Sequence, residues 1–514
     1  MTINVGEFLT RRAKRDPGKE CAVEPFSGRR FTFQESNERS NQVANGLTDI
    51  GVKAGDRVGL LVMNGVEFME TFFAAGKIGA VNVPLNWRLV ADELEFILAD
   101  AGVSVLVFSS DFAEVVAELQ SRGDKTHIRE WIQVGGETAG FAKDFDAWMG
   151  AQSTDEPDIG GGDDDLLFIM YTSGTTGLPK GVMHSHNTMF YALCTNVASS
   201  DFRGDDRFLN SLPMFHVGAL TPVLSTVYGG LTIVILRSFD PGESWRVIDE
   251  EKITTTLMVP AMLQFMLLVR DPEVHDGSSL RWIMSGAAPV PVSLIETYQA
   301  LGIEINQVYG LTETAGPACL IAGDDAVTRA GSTGRSFFHT DVRVVREDGS
   351  DVDPGESGEV LVAGPHIMLG YWNRPEATAE TIREGWLHTG DVALMDKDGF
   401  VTIVDRVKDM LISGGENVYP AEIENVLMGH PQIADAGVIG VPSAKWGESP
   451  LAVVVAKEGE EVSAEDIMEF TSGKLAAFKS VKVVEFTDVI PRNASGKILK
   501  RELRDTYSDV HAPS

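Results

Sequence analysis

The chain has 514 residues, 43% hydrophobic and 23% charged, with a formal net charge of −32. That is the balance of a soluble globular protein, and at about 150 residues per unit the length predicts two to four domains. The negative charge excludes bulk electrostatic binding to nucleic acid, and an anionic ligand would need a local basic patch or a metal ion. Three cysteines, Cys21, Cys194 and Cys319, stand far apart without metal spacing. No disulfide framework is expected, and a reducing, cytoplasmic compartment is. The amino terminus lacks a basic region ahead of a long apolar core, so no secretory signal is expected. The longest apolar run, Leu257 to Val269, contains Pro260 and Gln264 and is too short to span a bilayer.

Helical periodicity covers residues 5–16 and 34–50. A continuous apolar strand at 57–63 follows, then a helix at 66–78, a strand near 80–84, a helix at 91–101 and a strand at 103–108. Strands alternating with helices predict a mostly parallel sheet covered on both faces. Residues 152–165, rich in Gly, Asp and Pro, read as a surface linker dividing this unit from the strand that follows. From 187 to 310 the alternation resumes, with strands at 231–236, 255–259 and 282–285, as expected of a second sheet of the same domain. Between about 331 and 405 short strands are punctuated by Glu347-Asp348-Gly349, Pro354-Gly355 and Asp398-Gly399, which predicts hairpins and a barrel-like β unit. A further change near 406 opens a small α+β region: a helix at 420–428 starting on Pro420, strands at 433–440 and 451–456, a helix at 463–475 and a strand at 482–486. The fold expected is a large α/β N-terminal domain, with two mostly parallel sheets and a small β-barrel unit, followed by a smaller α+β domain.

Six motifs carry chemistry. In the first, the apolar run Leu166–Met170 leads into Tyr171-Thr172-Ser173-Gly174-Thr175-Thr176-Gly177-Leu178-Pro179-Lys180-Gly181. Glycines, hydroxyls and one lysine make a cradle for a polyphosphate. Pro179 argues against the direct helix entry of a nucleotide-binding P-loop. The second is Gln307-Val308-Tyr309-Gly310-Leu311-Thr312-Glu313-Thr314, after a strand. Here Tyr309 can stack a purine, Thr312 can bond a phosphate and Glu313 can hold Mg²⁺. Third, the small residues Ser285-Gly286-Ala287-Ala288 let a flat ring lie against the backbone. Fourth, Asp391, one residue after Gly390, can accept two ribose hydroxyls. Fifth, Asp405-Arg406-Val407-Lys408-Asp409 precedes Gly414-Gly415, where a ligand can approach the backbone closely. Sixth, Arg492, Lys497, Lys500 and Arg501 make a local cationic exception, and Ser495-Gly496-Lys497 can present an ammonium to an anionic transition state. His216, alone in an apolar run, reads first as a satisfied core histidine. His184 and His186 have no third ligand nearby, so no metal site is expected there.

In this order the six segments resemble the adenylate-forming superfamily of acyl-CoA synthetases, adenylation domains and luciferases, from about residue 5 to 505. The run Ile412 to Glu424 is most similar to fatty-acyl-CoA ligases of the mycobacterial very-long-chain type. The resemblance implies an ATP-dependent acid–CoA ligase that releases AMP and pyrophosphate, with ATP, CoA and Mg²⁺ as cofactors. Its partners would be small molecules, a carboxylic acid among them, and it admits a homodimer. Residues Thr172 to Lys180, including Ser173, Gly174, Thr175, Thr176 and Gly177, would hold the β- and γ-phosphates, with Thr172 and Glu313 at Mg²⁺. Gly286, Ala287, Ala288 and the segment Gln307, Val308, Tyr309, Gly310, Leu311 and Thr312 would frame adenine and the α-phosphate. Asp391 and Arg406 would bind ribose. Lys408 would be the hinge between a domain of residues 1–406 and a mobile domain of residues 407–514. Lys497 would bridge carboxylate and α-phosphate, His216 would border the acyl pocket and assist the thiol step, and Gly414 and Gly415 would border the pantetheine tunnel.

The chain also departs from the family pattern. Ile412 stands where some aryl-CoA ligases carry a second lysine, Phe478-Lys479-Ser480 lacks a common proline, and Leu220 stands where one long-chain type places a tryptophan gate. A pocket near His216, Leu220, Ala288 and 314–317 mixes small and aliphatic groups, which suits a medium- to long-chain fatty acid or an aryl acid. The alternatives are a stand-alone adenylation protein that loads a carrier protein, a luciferase-like oxygenase, or a non-catalytic binding module.

Overall fold

A computed structural model describes the chain apart from residues 1, 173–178, 289, 407–408, 414–415, 473, 476, 493–495 and 513–514. Its first sheet has eight strands, in spatial order Gly370–Tyr371, Lys180–Ser185, Leu166–Thr172, Val81–Pro84, Arg57–Leu61, Val103–Ser109, Glu130–Val134 and Lys143–Asp144. From Leu166–Thr172 onward every pairing is parallel. The central strands are apolar on both faces because both are covered: Val105, Leu106, Val107 and Phe108 are fully buried. Helix Val66–Lys77 is buried at every residue, and its charged groups Glu67, Glu70 and Lys77 are paired with Arg29, Arg39 and Glu156.

The second sheet has nine strands, in the order Arg335–Ser336, Cys319–Leu320, Glu304–Tyr309, Trp282–Ser285, Thr255–Met258, Arg207–Asn210, Thr232–Ile235, Glu20–Glu24 and Arg29–Thr32. It is parallel in the middle and antiparallel at both ends. One apolar cluster reaches from Val58, Leu60 and Val105 of the first sheet to Ile233 and Ile235 of the second, so the two sheets share a core.

Two features differ from the sequence expectation. The hairpin Glu20–Thr32 is not apparent from local pattern, because its outer strand is Arg-Arg-Phe-Thr, yet it forms the edge of the second sheet. There Arg30 bonds Glu20 and Glu251. Residues 152–165 do not divide two units, since the strand after them pairs with Val81–Pro84 inside the first sheet. They form a strap held by Lys77, whose fully buried ammonium donates to Asn37 Oδ1 (2.7 Å), Asn41 Oδ1 (2.5 Å) and Glu156 Oε2 (3.1 Å). A buried cation persists only with partners of this kind.

The third sheet is five-stranded and antiparallel, built from Asp341–Val345, Ser357–Ala363, Ile382–Arg383, Trp386–Met395 and Val401–Arg406, as the Asp-Gly and Pro-Gly turns predicted. The C-terminal region carries its own five-stranded sheet around the long hairpin Ile433–Ser443 and Gly447–Ala456. Helices Pro420–Met428, Ala464–Ser472 and Lys500–Thr506 accompany it, and it has separate apolar clusters. Its strands Leu411–Ser413 and Glu416–Val418 and its last helix are additions to the sequence reading. Among the described residues no helix is long and apolar enough to cross a membrane.

Burial holds four histidines neutral: His184, His186, His216 and His366 are each pushed down to about 4. Folded pKa values below the unfolded ones give stability that is full above about pH 6.5 and lost as pH falls towards 4. Glu70, pushed up to about 7 by burial, acts in the opposite direction, but one such group is outnumbered. Urea unfolding is expected to weaken steadily from pH 6.5 down to 5, by at most about 1.4 kcal/mol per histidine per pH unit. A stability that stays flat or rises over that range would contradict the assignment.

Candidate active site

The Gly/Ser/Thr motif lies on a hairpin: Leu166–Thr172 and Lys180–Ser185 are antiparallel, with Thr172 opposite Lys180. A strand, not a helix, follows the loop, as Pro179 suggested. The short strand Gly370–Tyr371 adds to the outer edge, Tyr371 pairing with Val182. This places the Lys180 ammonium 5.0 Å from the centre of the Tyr371 ring. The Tyr371 hydroxyl in turn donates to Glu313 Oε1 at 2.7 Å. Asp100 braces the base of the hairpin, accepting from the Tyr171 hydroxyl (2.6 Å) and from Arg374 (3.0 Å).

Thr312 and Glu313 lie in a single 3₁₀ turn, Thr312–Thr314, after the strand Glu304–Tyr309. Two buried histidines grip its carbonyls. His184 Nε2 lies 2.8 Å from the Thr312 oxygen, and His366 Nδ1 lies 3.1 Å from that of Thr314. The backbone N–H of Met368 donates to the Glu313 carbonyl at 2.9 Å. Both histidines are therefore brackets for the turn that carries Glu313. No sequence spacing flagged His366, and His184 showed only the lack of metal partners.

The residues expected to frame a purine meet at the C-terminal ends of strands of the second sheet. Met258, Ser285 and Gln307 lie in one register row, so Val259, Gly286 and Val308 are the next residues out. Gly286 lies against the Val308 carbonyl and Gly310 against that of Gly316, and a methyl group at either position would overlap those oxygens. Ala287 takes a left-handed φ of 67° beside them. Such strain at a strand end is typical of a ligand site. The Tyr309 hydroxyl donates to the buried Asp391 carboxylate at 2.7 Å. Burial and the Asp391 charge hold that phenol well above its usual range. Asp391 lies opposite Arg406 in the third sheet. Gln307 is buried, and its amide donates to the Ser332 carbonyl at 2.7 Å, so its side chain serves the fold. Leu311 lies at the start of the turn, its N–H donating to Thr314 Oγ1 at 3.0 Å.

His216 precedes helix Val217–Gly229. Its ring lies 4.5 Å from that of Phe215, its Nε2 is buried without a partner among the described residues, and burial beside Arg88 pushes its pKa down to about 4. This is a neutral hydrogen-bonding group on an apolar wall that includes Leu220. Among the described residues it is not satisfied as the core histidine that the apolar run suggested would be.

Lys497 follows Gly496, whose φ is 80° and whose Cβ position lies 3.0 Å from Val259 Cγ2. Gly496 thus packs on Val259, in the same row as Gly286 and Val308. Arg492 shapes this turn, donating to the Gly496 carbonyl at 2.7 Å while paired with Asp435 at 2.7 Å. Lys500 pairs with Glu424 at 3.2 Å, so two cations of the basic run are neutralised inside the C-terminal region. Ser173, Gly174, Thr175, Thr176, Gly177, Lys408, Gly414 and Gly415 lie outside the described residues.

The donor set suits a hard cation bound mainly through phosphate oxygens. Among the described residues only Tyr371 hydrogen-bonds the Glu313 carboxylate, at one oxygen, and no group of three or more His, Cys, Asp or Glu side chains forms a metal cage.

Residues 9–372 match the AMP-binding enzyme family, and residues 422–497 match the AMP-binding enzyme C-terminal domain. The chain belongs to this family, the adenylate-forming superfamily. A long-chain-fatty-acid–CoA ligase of Mycobacterium tuberculosis, FadD13, is 43% identical over 506 residues, covering 98% of this chain and 99% of that one. A feruloyl-CoA synthase of Amycolatopsis sp. is 41% identical over 504 residues, covering 98% and 99%. The crystal structure of the anthranilate CoA ligase AuaEII in complex with anthranoyl-AMP superposes with a TM-score of 0.93 at 28% identity, covering 99% of this chain and 98% of that one. With such relatives the chain is an AMP-forming acyl-CoA synthetase.

Proposed function

We propose that the chain joins a medium- or long-chain fatty acid or an aryl acid to CoA in two steps at this strand-end site. In the first, a carboxylate oxygen attacks the α-phosphorus of ATP, the bond to the β-phosphate bridging oxygen breaks, and pyrophosphate leaves. In the second, the CoA sulfur attacks the acyl carbon, AMP leaves with the carboxylate oxygen, and the thiol proton is released. The observation that carries this reading is the packing of the Lys497 turn on Val259, one strand from Gly286 and two from Val308. Lys497 then offsets the charge of two approaching anions, while Lys180 and the hairpin hold the leaving phosphates. Gly286, Ala287, Ala288 and Tyr309 frame adenine, Asp391 and Arg406 take the ribose, and His216 orients the acyl group as a neutral donor. Thr172 and Glu313 would hold Mg²⁺, which supplies charge neutralisation at the phosphates when bound.

The second step requires Lys497 to leave and the Gly414–Gly415 segment to approach. A hinge at Lys408, between residues 1–406 and 407–514, supplies that motion. A carrier-protein loader is the less favoured reading, since the relatives named above are CoA ligases.

Incubating ATP and CoA with a panel of acids, and following CoA consumption alongside nucleotide products, tests the proposal. Thioester with one AMP per turn is expected from fatty or aryl acids. ADP as product, or no CoA consumption with any acid of either class, would contradict it.

A further inference from the structure

The geometry points to Tyr371 as a positioning residue that holds the Glu313 carboxylate and the Lys180 ammonium apart and aimed at a metal-bound polyphosphate. This rests on the roles proposed above for those two groups. Glu313 and Lys180 carry opposite charges, and a direct ion pair would neutralise both before ATP arrives. Among the described residues Lys180 makes no such pair. The Tyr371 ring lies beneath its ammonium at 5.0 Å, and the Tyr371 hydroxyl donates to Glu313 Oε1 at 2.7 Å.

The ring attracts the cation without cancelling its charge. The hydroxyl fixes one oxygen of a carboxylate that sits on a three-residue turn, and so orients the other towards a hard cation, as outer hydrogen bonds do for metal ligands generally. Tyr371 cannot easily swing away. It is buried, its backbone pairs with Val182, its N–H donates to Thr378 Oγ1 at 2.9 Å, and the next residue's N–H donates to the Gly181 carbonyl at 2.7 Å. Its strand is stitched to the strand that Lys180 begins, so the spacer and the cation move as one body.

The test is ATP binding by calorimetry on the full chain, in EDTA and then in MgCl₂, with Mn²⁺ binding read by electron paramagnetic resonance. Tyr371→Phe keeps the ring and loses the hydroxyl. It is expected to leave ATP affinity in EDTA within about twofold and to cut the gain from Mg²⁺, and the Mn²⁺ affinity, by about tenfold. Tyr371→Leu is expected also to weaken binding in EDTA, by roughly threefold or more. Tyr371→Phe combined with Glu313→Gln should lose no more of the metal gain than Glu313→Gln alone, because both act through one carboxylate. A wild-type metal gain in Tyr371→Phe, or additive losses in the double variant, overturns the inference. An unchanged metal gain in Glu313→Gln overturns the role of Glu313 itself, a separate failure. Should Tyr371→Leu not fold, the phenylalanine variant decides alone.

Discussion

Lys497→Ala is expected to lower acid-dependent ATP–pyrophosphate exchange by about 10³-fold while leaving conversion of supplied acyl-adenylate to thioester within about twofold. The separation follows from where the lysine stands. Gly496 before it packs on Val259 at the strand ends, where the α-phosphate would lie, and Arg492 donates to the Gly496 carbonyl. An ammonium at that point stabilises a pentavalent, highly anionic transition state in a partly desolvated setting, where one charge is worth far more than in water. The thioester step needs no such charge, because its leaving group is already an activated phosphate. Exchange and thioester formation are measured separately with labelled pyrophosphate and with synthetic acyl-AMP. Equal loss of both half-reactions would mean that Lys497 supports the fold of the C-terminal region and not adenylation.

Gly310→Ala is expected to destabilise the protein by about 2–4 kcal/mol and to abolish ATP binding. A Cβ at this position would overlap the Gly316 carbonyl oxygen, which belongs to the backbone and cannot rotate aside. Relief requires separating the strand end at Tyr309 from the segment that returns through Ala315 and Gly316. Tyr309 and Asp391 share a hydrogen bond, and Glu313 is three residues beyond Gly310, so the proposed adenine, ribose and metal contacts would shift together. Gly204→Ala is the control, with nothing within 4 Å of its Cβ position, and is expected to stay within about 0.5 kcal/mol of wild type in urea unfolding. Comparable stability and ATP affinity in the two variants would contradict this packing.

Legibility in the sequence tracked how local each feature is. The helix Ala91–Ala101 and the helix Pro420–Met428 ended where periodicity and Pro420 placed them, since the capping and burial signals lie within the segment. The hairpin Glu20–Thr32 was hidden because its strands gain their meaning from Thr232–Ile235 and Glu251, more than 200 positions away by residue number (232 − 24). The strap at 152–165 had a linker's composition, and only the burial of Lys77 shows why it is fixed. In the candidate site, Thr172–Lys180, Glu313, Asp391 and Lys497 could be singled out by residue chemistry because each sits on a short glycine-punctuated motif; residues 173–178 lie outside the described residues. Tyr371 could not be singled out in this way. It stands in Gly370-Tyr371-Trp372, where nothing local separates a packed aromatic from one whose hydroxyl meets Glu313. His366 was silent for the same reason, and the neutral ring of His216, whose Nε2 has no partner among the described residues, became visible only with its neighbours in place.

The proposed function makes one central chemical statement, that the carboxylate of the substrate acid attacks the α-phosphate of ATP beside Lys497. The most direct test is a turnover with an accepted acid labelled with ¹⁸O in both carboxylate oxygens, followed by mass spectrometry of the nucleotide. Attack at the α-phosphorus and later cleavage of the acyl–oxygen bond by the CoA sulfur predict AMP carrying one ¹⁸O atom and thioester retaining the other. Unlabelled AMP, or label in phosphate released with ADP, would contradict the mechanism.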